Sequence, residues 1–134
     1  MLAWIQNIVM RWKLFYLYAL LLVIVSALPI NGPGTVINDI FIISIRLDYL
    51  LHCLIYLPLV FFLWIEKESD LFITPGKTFI WITILLIFAV ITEGMQFFLT
   101  YRAFNINDML ANIIGIVIGF AIVLLCRELG RYFR

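Results

Sequence analysis

Thr92-Glu93-Gly94-Met95-Gln96, followed by Arg102-Ala103-Phe104 and Asn107-Asp108-Met109-Leu110-Ala111-Asn112, and then by Gly115 and Gly119, is the stretch on which the fold turns. It places carboxylates, amides and a guanidinium between long apolar runs. An ionisable side chain at the centre of a membrane helix costs about 2.5–3.5 kcal/mol, so such residues are usually paired or functional. The surrounding composition makes lipid the relevant solvent. The 134 residues are 66% hydrophobic and only 13% charged, with a mean hydropathy of +1.15. A water-soluble chain of this size needs far more polar surface to cover its core.

Outward from that stretch, the apolar runs define four membrane spans, at about residues 14–30, 48–65, 78–99 and 108–125. The expected fold is all-α: a four-helix transmembrane bundle in a single domain covering residues 1–134. Ahead of it, Trp4, Ile5, Ile8, Val9 and Trp12 share one helical face opposite Gln6, Asn7, Arg11 and Lys13, the pattern of a short interfacial segment. The same residues also read as the polar flank of the first span. Val25-Ser26-Ala27 imitates a signal-peptide cleavage site, but the apolar run before it is long for that role. Asn31-Gly32-Pro33-Gly34 is a strong turn, and residues 36–45 after it are apolar enough to lie in the interface or to form a partly re-entrant helix.

Four spans put both termini on one side. That side carries Arg11, Lys13, Lys67, Lys77, Arg127, Arg131 and Arg134, against Arg46 and Arg102 on the other. The bias of basic residues towards the cytoplasm therefore predicts both termini inside. In that topology the polar residues share a depth. At about 1.5 Å per residue, His52 lies roughly 6 Å below Asp48, Glu93 roughly 13 Å below Arg102, and Asn112 roughly 6 Å below Asp108. All fall in the outer half of the bilayer, and the inner halves of the same helices are aliphatic and aromatic.

Each of these residues has a structural reading beside a functional one. Asp48, His52 and Tyr56 stand at i, i+4 and i+8, so they share a helical face, and Asp48 can simply pair with His52. Glu93 and Gln96 stand at i and i+3, and Glu93 can be stapled to an inward-folding Arg102. Asn107 is expected to cap the fourth helix, with Asp108 suited to the positive end of its dipole. Asn112 can join helices or meet a ligand. Ala111, Gly115 and Gly119 form a small-residue row that permits close packing without any chemistry. Cys53 and Cys126 fall at different depths, too far apart for a disulfide.

These residues resemble the VanZ-like family of small integral membrane proteins, named for a teicoplanin-resistance protein. The matching pieces are Asp48-x-x-x-His52-x-x-x-Tyr56, Glu93-x-x-Gln96, and Arg102-x-Phe104-x-x-x-Asp108-x-x-x-Asn112-x-x-Gly115-x-x-x-Gly119. The chain departs from the family pattern at Tyr49, where a lysine commonly follows the aspartate, and it lacks a proline often found before Arg102. The resemblance implies a multi-span protein of the bacterial inner membrane linked to the cell envelope and, for the founding member, to glycopeptide resistance. It does not imply a reaction.

Three functions compete. The first is binding of an amphiphilic envelope lipid or lipid-linked precursor, with Asp48, His52, Tyr56, Glu93, Gln96, Arg102, Asp108 and Asn112 as the ligand-binding set. The second is an enzyme acting on such a lipid, with His52 as general base and Glu93 as general acid. The third is a structural or interaction protein whose polar residues only staple helices. Nothing polar continues to the cytoplasmic half, which argues against a transporter. A net charge of +1 offers no basic face to nucleic acid. No zinc-ligand spacing, nucleophile elbow or phosphate loop occurs, so neither a metal nor a cofactor is expected.

Overall fold

The computed structural model describes residues 13–28, 40–42, 45–67, 74–102 and 104–132. The amphipathic start, the Asn31-Gly32-Pro33-Gly34 turn and the acidic loop after Lys67 lie outside the described residues. Four helices account for nearly all of the rest: α1 (Lys13–Ala27), α2 (Leu47–Lys67), α3 (Pro75–Gln96) and α4 (Ile106–Tyr132). Three are long and apolar enough to cross a membrane, over Leu47–Ile65, Pro75–Gln96 and Ile106–Gly130. The fourth, α1, is apolar but has 15 residues. At about 1.5 Å per residue it covers roughly 22 Å of a hydrocarbon core about 30 Å thick. It ends where the sequence reaches Pro29, which disfavours helical backbone just before it.

Local sequence sets the other helix ends, and they differ from the apolar boundaries in instructive ways. Helix α3 begins at Pro75 rather than near residue 78, because proline suits the first helical turn, where its missing N–H costs nothing. At its far end the last turn tightens: Phe97, Phe98 and Leu99 donate to the carbonyls of Gly94, Met95 and Gln96. These i→i+3 bonds satisfy carbonyls that the α-helix leaves open. Helix α4 runs on past residue 125 through Arg127 and Glu128. Its cap is Asn105, not Asn107: Asn105 Oδ1 accepts the backbone N–H of Asn107 at 3.0 Å, and the Asn105 carbonyl takes the N–H groups of Asp108 and Met109. Between α1 and α2 the described backbone forms no re-entrant helix. It makes a small antiparallel pair, β1 (Phe41–Ile42) with β2 (Ile45–Arg46), in the register Phe41–Arg46 and Ile42–Ile45.

The helices pack around an apolar core and turn apolar residues outward as well. Leu59, Val60 and Leu63 of α2 meet Leu85 and Ala89 of α3 and Ile116, Phe120 and Val123 of α4, while α1 contributes Phe15 and Leu22. Ile84, Ile87, Val117 and Leu125 are exposed, as expected of helices facing lipid rather than water. Pro58 lies inside α2, where lipid-embedded helices tolerate it because neighbours re-satisfy the backbone.

The most extensive interface joins α2 to α4. It is built on the glycine row. A Cβ at Gly115 would overlap the carbonyl oxygen of Cys53, and one at Gly119 would stand 3.0 Å from the carbonyl of Leu57 and from Val60. Backbone therefore touches backbone at Gly115. Cys53 and Cys126 are both free thiols. Overpacking of this kind typically costs about 1–3 kcal/mol, and Gly115→Val lies at the upper end because the obstacle is backbone. Thermal unfolding in detergent, followed by circular dichroism, should show a clear loss for Gly115→Val and none for Gly94→Ala, where a Cβ meets nothing within 4 Å.

Candidate functional site

Six polar residues are buried among the described residues: Asp48, Thr92, Glu93, Gln96, Asp108 and Asn112. All sit at one end of the bundle, where α2 begins, α3 finishes and α4 begins. The antiparallel order of these helices produces the convergence. Helix α3 carries its polar residues up to the end, a short turn reverses the chain, and α4 starts with Asp108 in its first turn.

Asn112 is the hinge of the network and is fully buried. Its Oδ1 lies 2.9 Å from His52 Nδ1 on α2, and its Nδ2 donates a long bond of 3.5 Å to Glu93 Oε2 on α3. One amide thus ties three helices. Its orientation follows from its partners, since the carboxylate needs a donor and the imidazole Nδ1–H an acceptor. Gln96 Nε2 also reaches Glu93 Oε2, at 3.4 Å, from one turn along α3. Glu93 is itself 0% exposed, and its Oε1 has no hydrogen-bond partner among the described residues. Arg102 and the Asn105 backbone bring positive potential to this carboxylate, and Asp108 brings negative potential.

On the other edge of its ring, His52 Nε2 stands 3.7 Å from Asp108 Oδ2, beyond a hydrogen bond. Asp108 Oδ1 instead accepts Asn105 Nδ2 at 3.0 Å. Deeper, the Tyr56 hydroxyl bonds to Thr92 Oγ1. Thr92 already donates its hydroxyl proton to the carbonyls of Phe88 and Ala89, so Tyr56 is the donor between them. At the mouth, Asp48 does not pair with His52 as the i, i+4 spacing allows. Its Oδ2 accepts Arg46 NH2 at 2.5 Å, and its Oδ1 takes the Tyr49 N–H at 2.9 Å. Arg46 also stacks over the Tyr49 ring, 4.6 Å from its centroid. The short β-pair explains this choice, because β2 delivers Arg46 directly to the start of α2.

Helix α1 is attached to this end by side chains from the α3–α4 turn. Tyr101 Oη donates to the Ala27 carbonyl at 2.9 Å, and Arg102 NH2 donates to the Ser26 carbonyl at 3.2 Å. These bonds satisfy carbonyls at a helix C-terminus, where a cation is also favoured by the dipole. A cavity of about 90 Å³ lies beside them. Leu22, Val25 and Ser26 line it from α1, Leu51, His52, Ile55 and Tyr56 from α2, and Arg102 from the turn. At about 30 Å³ per water it holds roughly three waters, or one small polar group.

A family model described as VanZ/LLP1 matches residues 13–127. The chain belongs to that family. No curated protein and no solved structure matches it.

Of the eight residues expected to bind ligand in this VanZ/LLP1 chain, His52, Glu93, Gln96, Asp108 and Asn112 form one connected network. His52, Tyr56 and Arg102 face the cavity, and Asp48 stands apart at the mouth with Arg46. Four contributors were not singled out from the sequence: Thr92 as a partner, Arg46, Asn105 and Ser26. Thr92 was within reach. Leu85, Ala89, Thr92, Glu93 and Gln96 are buried at helical spacing, so extending that stripe finds it. The other three depend on where short connections bring the chain. Among the described residues no group of three His, Cys, Asp or Glu side chains is arranged to hold a metal ion.

Replacing the bridging amide with a similarly sized apolar residue should strand two buried polar groups. Asn112→Leu is expected to lower stability by about 1–3 kcal/mol, since His52 Nδ1 and one bond to Glu93 lose their partner. A cycle with His52→Leu, read from unfolding in detergent, should recover part of that loss, because the second change removes one stranded group.

Proposed function

We propose that this protein is a multi-span component of the bacterial cytoplasmic membrane that binds an amphiphilic cell-envelope lipid or lipid-linked precursor. The ligand's polar group would sit in the outer half of the bilayer. Binding would alter the envelope and its susceptibility to glycopeptides of the teicoplanin kind. The observation that carries this reading is the cavity against His52, Tyr56 and Arg102, at the polar end of an otherwise apolar bundle. A cation, an imidazole and two hydroxyls lining a small space between apolar helices suit an anionic headgroup whose hydrocarbon lies along the bundle. Asn112, Gln96 and Asp108 support the pocket from behind, by orienting His52 and Glu93.

An enzymatic reading draws on one specific feature. His52 Nε2 is held near Asp108 without bonding to it, so the ring is oriented yet keeps a polar edge at the cavity wall. His52 would then act as base on the bound lipid, while Glu93, fully buried and outside the cavity lining, would act only through Asn112.

Native mass spectrometry of the protein released from mild detergent tests the binding reading. The wild type should retain a defined envelope lipid, and Arg102→Ala should retain about tenfold less with the fold intact, the effect of one charge-assisted bond. A bare wild-type protein, or bulk phospholipid held equally by the variant, would sink the proposal. Sidedness is tested separately in cells. In a background lacking Cys53 and Cys126, Phe104→Cys, in the exposed turn, should react with a membrane-impermeant maleimide from outside, and Tyr132→Cys, exposed beyond the Ile106–Gly130 span, only after permeabilisation. The reverse pattern would place the polar end in the cytoplasmic half.

A further inference from the structure

The last four carbonyls of an α-helix have no partner within it. In α1 these belong to Ile24, Val25, Ser26 and Ala27, and each is taken. The N–H of Leu28 serves two of them, at 3.1 Å from the Ile24 oxygen and 3.2 Å from that of Val25. The bond to Val25 stands in for the one the next residue would make, since Pro29 has no N–H to give. Ser26 and Ala27 are capped from across the bundle instead, by Arg102 NH2 at 3.2 Å and Tyr101 Oη at 2.9 Å. Two consecutive residues of the α3–α4 turn thus grip two consecutive carbonyls of α1.

The two caps differ in what else they touch. Arg102 and Ser26 line the cavity, and Tyr101 and Ala27 do not. The carbonyl end of a helix carries partial negative charge, which by itself opposes an anionic group at the cavity wall. A guanidinium held against that end reverses the sign the group meets. Its donors form a rigid fork, so the bond from NH2 to Ser26 also sets the plane of the rest. The backbone behind the fork is fixed in two ways. Arg102 N donates to the Leu99 carbonyl at 3.2 Å, which shapes the turn, and the Tyr101 hydroxyl fastens that turn to α1.

We propose that Tyr101 is a positioning residue for the headgroup site: by holding the α3–α4 turn to the Ala27 carbonyl, it keeps Arg102 at the cavity wall. This rests on the reading of the cavity as a site for an anionic headgroup, and adds to it a residue that does not touch the ligand. The role is separable from the fold. Tyr101 is 46% exposed, so Tyr101→Phe strands no group in the core. Water can cap the Ala27 carbonyl in place of the hydroxyl, but water does not tether the turn to α1.

The test offers dioleoyl phosphatidate to delipidated full-length protein in mild detergent, with native mass spectrometry as the readout. Tyr101→Phe should retain about threefold less of this probe than the wild type, the effect of one neutral hydrogen bond, with thermal unfolding unchanged. In an Arg102→Ala background the same change should make no further difference, because no guanidinium remains to be placed. Equal losses in the two backgrounds would mean that Tyr101 acts through the fold at large, and the inference falls. Wild-type retention by Tyr101→Phe, with Arg102→Ala still defective, leaves the headgroup site standing and removes Tyr101 from it. If the wild type retains no phosphatidate, or Arg102→Ala retains as much as the wild type, the anionic-headgroup reading and this inference fail together.

Discussion

The close approach of α2 and α4 at Gly115 is the constraint on which the polar end depends. With backbone against the Cys53 carbonyl, the two helices are as near as their chains allow. His52 precedes Cys53, and Asn112 lies one turn before Gly115, so the same contact sets the distance across which His52 Nδ1 and Asn112 Oδ1 meet at 2.9 Å. Between apolar side chains in lipid there is no hydrophobic drive to associate, and contact of small residues supplies dispersion energy instead. Once the helices are that close, the amide–imidazole bond adds to the attachment. Packing and polar bonding here share one cause.

The same geometry explains how several ionisable groups survive burial. Arg46 and Asp48 form a short pair at the mouth. Glu93 and Asp108 oppose one another electrostatically, but each accepts from amides, Gln96 and Asn112 for Glu93 and Asn105 for Asp108. Buried polar groups are costly when partly satisfied and rigid when fully satisfied. This network is nearly complete, with Glu93 Oε1 and, at the mouth, Arg46 Nε among its open positions in the described residues.

Much of this was legible in the sequence because membrane helices obey simple rules. Their backbones must be satisfied internally, so long apolar runs become helices and alternate in direction. That fixed ordering brings Asp48, His52, Glu93, Asp108 and Asn112 to a common depth before any contact is known. The glycine row could be read for the same reason. What was not legible belongs to short connections. The i, i+4 spacing pairs Asp48 with His52, but β2 brings Arg46 nearer, and a cation outcompetes an imidazole for a carboxylate at 2.5 Å. Asn105 rather than Asn107 caps α4 because the turn after α3 uses extra residues in i→i+3 bonds, and no periodicity announces that. The Arg102 bond to the end of α1 joins residues far apart in the chain and depends on α1 stopping before Pro29.

The distribution of polarity bears on what kind of function such a bundle can perform. Every buried polar side chain among the described residues lies at one end, and below it the core is Leu59, Val60, Leu63, Leu85, Phe120 and Val123. A substrate moving across the bilayer needs polar partners along its path, because an unsatisfied polar group in hydrocarbon costs several kcal/mol. No such column exists in the described interior. Below the cavity beside His52 and Arg102 the described interior is therefore hydrocarbon. The tightest joint of the bundle is between α2 and α4 at Gly115, whereas α1, which buries Phe15 and Leu22, is held by hydrogen bonds from Tyr18, Tyr101 and Arg102. A polar pocket floored by hydrocarbon is suited to holding a group at one depth rather than passing it across.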